Sequence, residues 1–171
     1  AAGIPARLMP DPAVLVAERF GPTIATHAAR GEVAAIGRIF HHGYLAVQFN
    51  AGFGDDATLA TLAAQLARAG DGLGLVLFRA GSAPWHDDPD CLARLARRLP
   101  ASRVRVFQSL QLWDICALIA GSRGYCGSSL HGRIVATAFA RTRLNVLPPQ
   151  ASEPGKVLAY TRLPEGHWTL A

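Results

Sequence analysis

From Tyr44 onward, short apolar runs alternate with amphipathic stretches, and this alternation restricts the fold more than any other feature of the chain. Residues 44–49, 73–78 and 103–108 read as strands, the last with Val104 and Val106 in period-two alternation. Residues 57–69 read as a helix, because Leu59, Leu62, Ala63 and Leu66 recur at helical spacing before Gly70-Asp71-Gly72 stops them. Residues 89–99 and 112–120 read as two more helices, closed by Pro100 and Gly121. A strand at 124–127, a helix carrying Ile134, Val135 and Ala138, and a strand at 144–147 complete the series. Strands joined through helices by short loops predict an α/β fold, a Rossmann-like parallel sheet with helices on both faces. Continuous apolar runs suit strands covered on both sides.

Residues 44–150 form the expected domain core, 1–43 a lead-in segment of the same domain, and 151–171 a polar tail. Asp11 is placed to cap a helix with Pro12 in its first turn, over residues 13–20, ended by Gly21-Pro22. Residues 23–43 show no clear period, and 33–40 read equally as strand or helix.

With 171 residues, half of them hydrophobic, the chain fits one domain with a real core and excludes a disordered protein. No apolar run is long enough to span a bilayer and no signal peptide stands out, so the expected location is cytoplasmic, up to the inner face of the membrane. The start, Ala1-Ala2-Gly3, points to trimming, a cloning scar or a fragment. The net charge of +5 comes almost wholly from arginine, whose fork suits phosphate and carboxylate. The arginines are scattered and no aromatic-interleaved basic stripe occurs, so most read as solvated surface and no nucleic-acid partner is expected. Cys91, Cys116 and Cys126 show neither metal spacing nor a CxxC pair, which points to a reducing compartment. Cys116 and Cys126 lie in apolar contexts and read as buried packing.

Ligands of open α/β sheets bind beyond the C-terminal ends of the strands. That rule gathers residues 50–56, 79–88 and 127–131 on one rim. Gly52-Phe53-Gly54 lacks the third glycine of a dinucleotide fingerprint and reads as a βα turn, with Asp55 or Asp56 as the cap of the next helix. Arg79 closes a buried strand, a position that calls either for an anionic ligand or for an ion pair with Asp87 or Asp88. In Pro84-Trp85-His86-Asp87-Asp88-Pro89, one aspartate is placed to cap the helix and the other to orient a histidine or bind an acceptor hydroxyl. One histidine and two consecutive aspartates cannot converge on an ion unaided, so no metal site is expected. His41 and His42 read as exposed loop residues. No Gly-x-Ser-x-Gly elbow appears.

The stretch from Gly124 to Phe139 reads as a buried strand, a tight turn at Ser128-Ser129, and a helix with His131 in its first turn. A helix start offers free N–H groups and the positive end of its dipole, so it attracts anions. Ser128 or Ser129 can cap it, and both read as anion donors rather than nucleophiles. A histidine there can exchange a proton beside a bound anion. The alternative is a capped helix whose histidine serves only surface or packing.

Ser129-Leu130-His131-Gly132 resembles the Arg/Ser-Leu-His-Gly signature of the polysaccharide pyruvyl transferase family. Met9-Pro10-Asp11-Pro12-Ala13-Val14-Leu15 is similar to that family's entry to its C-terminal domain, His86-Asp87-Asp88 to its His/Asp segment, and residues 109–119 to the segment leading into the signature strand. The resemblance covers residues 9–150. Many members carry arginine where this chain has Ser129. It implies one half of a two-domain fold of the GT-B glycosyltransferase type, with a missing N-terminal domain or a homo-oligomer completing the cleft. The implied reaction moves a pyruvyl group from phosphoenolpyruvate to sugar hydroxyls of a bacterial polysaccharide or its lipid-linked precursor, with no further cofactor. In that scheme His131 is the acid/base residue, Arg79, Ser128 and Ser129 hold the donor, and His86 and Asp87 meet the acceptor. The alternatives are half of a nucleotide-sugar glycosyltransferase and a non-catalytic sugar-binding module.

Overall fold

The computed structural model describes residues 11–69, 72–83 and 87–146. His86, and the tail from Leu147 on, lie outside the described residues. Among the described residues six α-helices and five strands follow one another as α1 (Val16–Ala28), α2 (Gly31–Ile39), β1 (Tyr44–Gln48), α3 (Asp56–Ala69), β2 (Gly74–Leu77), α4 (Pro89–Arg97), β3 (Val104–Val106), α5 (Leu112–Gly121), β4 (Gly124–Gly127), α6 (Leu130–Ala138) and β5 (Thr142–Asn145).

The strands form one parallel sheet in the order β3-β2-β1-β4-β5. The chain works outward from β1 to β3, then crosses to the other side of β1 for β4 and β5. Parallel crossovers keep one hand, so this reversal sends α3 and α4 to one face and α5 and α6 to the other. The expected doubly covered α/β sheet is therefore observed.

Period-two alternation divides the strand side chains between two cores. Tyr44, Ala46, Val76 and Phe78 face Ile24, Val33, Ile36 and the apolar stripe of α5. Val47, Leu75, Leu77 and Cys126 face Leu59, Leu62 and Leu66 of α3 and Leu92 and Leu95 of α4.

The N-terminal segment departs from the sequence reading. Pro12–Leu15 form a 3-10 turn, capped by the Asp11 carboxylate on the Ala13 N–H at 2.9 Å, and α1 then runs through Gly21-Pro22 without stopping. Packing overrides the local signal, because α1 buries Ile24 and His27 against α5. Residues 31–39, ambiguous in sequence, are helical. The final strand begins at Thr142 rather than Leu144.

Candidate functional site

The strand order makes a topological switch point between β1 and β4, where ligand crevices open in sheets of this kind. Residues following β1, Phe49 and Asn50, and those following β4, Ser128 and Ser129, meet there. The Asn50 N–H donates to Ser128 Oγ at 3.0 Å, and the Ser128 N–H donates to the Gln48 carbonyl at 3.1 Å. Asn50 also caps the 3-10 turn Ala51–Phe53 by accepting from the Gly52 N–H.

Ser129 is the cap of α6, its hydroxyl accepting from the Gly132 N–H at 3.2 Å. Its own N–H donates to Gln48 Oε1 at 2.9 Å. A helix start leaves its first N–H groups without intrahelical partners. With those of Ser129 and Gly132 engaged, the N–H groups of Leu130 and His131 are the ones that make no hydrogen bond among the described residues.

His131 is well exposed, with 74% of its side chain open to solvent, and its Nε2 stands 3.7 Å from Asp11 Oδ2. Asp11 thus caps the first 3-10 turn with one oxygen and faces His131 with the other. At that distance the two groups make no hydrogen bond, and a contact this open adds little stability. The structure therefore brings together two sequence segments, the Asp-Pro-Ala entry and the Ser-Leu-His-Gly turn, that are far apart in the chain.

Arg79 follows β2, beside β1 on the rim, and is half-buried. Among the described residues it makes no hydrogen bond or ion pair, so the ion pair with Asp87 or Asp88 does not form. Asp88 caps α4, accepting from the Asp90 N–H at 2.8 Å, and Asp55 does the same for α3 from the Thr58 N–H at 2.9 Å. The hydroxyl and backbone of Thr58 hold the Asp55 carboxyl below its ordinary range.

Asp87 is buried, and both its oxygens are engaged: Oδ1 accepts from Gln48 Nε2 at 2.6 Å and Oδ2 from the Gly81 N–H at 2.9 Å. Gln48 is the junction that sequence reasoning missed. It is 1% exposed, and its amide ties the loop after β2 to the start of α6. A glutamine at the end of an otherwise apolar strand was the available signal.

Tyr125 lies beneath this junction. Burial pushes its phenol far above the ordinary range, so it stays protonated, donating to the Ser129 carbonyl at 3.1 Å and to Gln48 Oε1 at 3.4 Å. A Cβ at Gly132 would stand 2.6 Å from the Tyr125 hydroxyl oxygen, and one at Gly127 would clash with both that oxygen and the Gln48 carbonyl. Both glycines make room for the ring. Arg133, also missed, is 1% exposed and donates from Nη1 to Asn145 Oδ1 at 3.0 Å, joining α6 to the end of β5. Its signal was a charge inside the apolar stripe of a helix.

Among the described residues no group of three or more His, Cys, Asp or Glu side chains could hold a metal ion. The three cysteines are free and buried. No described helix is long and apolar enough to cross a membrane.

No family model matches the chain, so the resemblance drawn from its motifs rests on those motifs alone. No curated protein matches it either. Among solved structures, E. coli heptosyltransferase WaaC with ADP aligns at 21% identity and a TM-score of 0.47, over 70% of this chain and 39% of that one. WaaC with ADP-2-deoxy-2-fluoro heptose aligns at 20% identity and a TM-score of 0.46, over 72% and 40%. The chain spans about two fifths of the length of these structures.

Proposed function

We propose that this chain is the donor-binding part of a transferase that moves a group from a phosphate-bearing donor to a saccharide hydroxyl. The observation that supports this most is the meeting, at the switch-point rim, of the open start of α6 with His131 and Asp11, while Arg79 stands unengaged two strands away. Two strand spacings are about 10 Å, a span that a donor phosphate and its neighbouring anionic group can bridge. The Leu130 and His131 N–H groups and the Arg79 guanidinium would hold the departing phosphate, whose charge grows as its bond breaks. His131, beside Asp11, would take the proton of the acceptor hydroxyl. Asp87 and Gln48 would position the two loops rather than touch substrate.

Two donors fit this arrangement. The Ser129-Leu130-His131-Gly132 turn and its contact with the Asp11 segment favour phosphoenolpyruvate: its methylene carbon gains a proton, two sugar hydroxyls add in turn to the neighbouring carbon that bears the phosphate, and phosphate leaves, the two hydroxyl protons going to the methylene and to the phosphate. The strand order, with its crevice between β1 and β4, favours a nucleoside-diphosphate sugar, where the same groups hold the leaving diphosphate. Calorimetric titration of the chain with phosphoenolpyruvate and with a panel of nucleoside diphosphates separates them. Saturable heat is expected with one class, weakened roughly tenfold or more by Arg79→Ala, a lost charge-assisted contact. Heat that Arg79→Ala and His131→Ala both leave unchanged would place the donor elsewhere.

A further inference from the structure

Because all five strands are parallel, the residues just before them share the edge of the sheet opposite the rim. His41 and His42 precede β1, Arg103 precedes β3, Arg123 precedes β4 and Arg141 precedes β5. The last turns of α2 and α3 add Arg38 and Arg68. Arg38, His41, His42, Arg68 and Arg123 are exposed.

Among the described residues the carboxylates other than Glu18 lie at the other edge. Asp56, Asp90 and Asp114 lie in the first turns of helices that begin at the rim. Glu32 accepts the N–H groups of Gln108 and Ser109, just past the end of β3. No described carboxylate precedes a strand; Asp71, ahead of β2, lies outside the described residues. Arginines in the last turn of a helix offset its negative end, which accounts for Arg38 and Arg68. It does not account for His41, His42, Arg103, Arg123 and Arg141, which stand in loops. Cations scattered in sequence are thus collected by topology.

Two features say what this edge fits. Ile39 is 44% exposed between Arg38 and the His41-His42 pair, an apolar group set among cations. A shallow depression of about 160 Å³ opens beside it, lined by Phe40, His41, His42, Ser102 and Arg103 among others, with room for a phosphate group. Single-stranded nucleic acid would call for free aromatic faces on which bases stack. The exposed rings at this edge, His41 and His42, pack on each other with centroids 4.0 Å apart, and the exposed ring of Phe20 stacks on Trp113 at the start of α5, on the rim side.

We propose that this edge docks the protein on an anionic lipid bilayer, Arg38, Arg68 and Arg123 meeting headgroup phosphates while Ile39 enters the interface. The proposal does not depend on which donor the rim takes. The test is co-sedimentation of the full chain with phosphatidylcholine vesicles, with and without about a third phosphatidylglycerol, across a salt series. Binding is expected only to the anionic vesicles, falling as salt rises. Arg38→Gln, Arg68→Gln and Arg123→Gln should each weaken it roughly fivefold, and Arg19→Gln in α1 should not. These side chains are exposed, so thermal melts of the variants should superimpose on the parent. Equal binding to neutral vesicles, no binding to anionic ones at low salt, binding indifferent to the three edge substitutions, or capture of a single-stranded RNA in place of vesicles would each overturn the proposal.

Discussion

At the scale of single residues, the rim is built by fitting glycines around one ring. Gly132→Ala would drive a methyl group into the Tyr125 hydroxyl. The expected cost is about 1–3 kcal/mol, the usual range for overpacking, read as a lower urea midpoint. Gly132 was legible in sequence as a motif letter, but its cause was not, because Tyr125 stands on the preceding strand and the contact exists only once strand and helix fold together. The cysteines were legible as packing. Burial pushes the Cys116 thiol up to about 11 and that of Cys126 up to about 12. At pH 8 a thiol reagent should therefore label both slowly in the folded protein and quickly in urea; fast labelling without denaturant would contradict their burial.

At the scale of elements, the joints carry the surprises. Helix α6 closes with Ala140 at φ 52, its N–H reaching the Thr137 carbonyl and the Arg141 N–H the Ala136 carbonyl. That is the left-handed closure glycine usually provides. Ala140→Gly should stabilise the protein by roughly 0.5–1 kcal/mol, measurable by thermal melting. The α1–α5 joint is polar: His27 Nδ1 lies 2.5 Å from Asp114 Oδ1, Arg30 reaches His27 Nε2 at 2.6 Å, and the Ser109 hydroxyl donates to Asp114 Oδ2 at 2.6 Å. Burial alone would raise the Asp114 carboxyl, but the bonds from His27 and Ser109 outweigh it and hold it below its ordinary range. A depressed carboxyl contributes stability that is fully present above its unfolded value, about 3.9, and is lost as pH falls through its folded one. Asp114→Asn should therefore lower the urea midpoint by a constant amount from neutral pH down to about 5, with the gap closing in more acid solution. A gap that persisted at the lowest pH would mean that packing rather than charge holds the joint. Long-range bonds of this kind also explain the misread helix end, since Gly21-Pro22 is a stop signal only for a helix without a partner.

At the scale of the whole molecule, the alternation of runs disclosed the parallel sheet, while the strand order stayed hidden because it depends on where each crossover lands. His131, Arg79, Ser128 and Ser129 were legible as rim residues by the rule that ligands gather past strand ends. Gln48 was not, since its role needs three loops at once. Gln48→Leu would leave one oxygen of the buried Asp87 carboxylate and the half-buried Ser129 N–H without their partner, and should cost about 1–3 kcal/mol in a urea titration. The way Tyr125 fills the space above Gly127 and Gly132 reaches beyond stability. Selection for folding alone would preserve those glycines and the Ser129 cap in a lineage that had abandoned chemistry, whereas nothing in the packing demands an imidazole at 131 or a guanidinium at 79. Under the proposed function, working relatives would be told from silent ones by positions 79 and 131, and drift there would mark the moment a lineage ceased to use the rim.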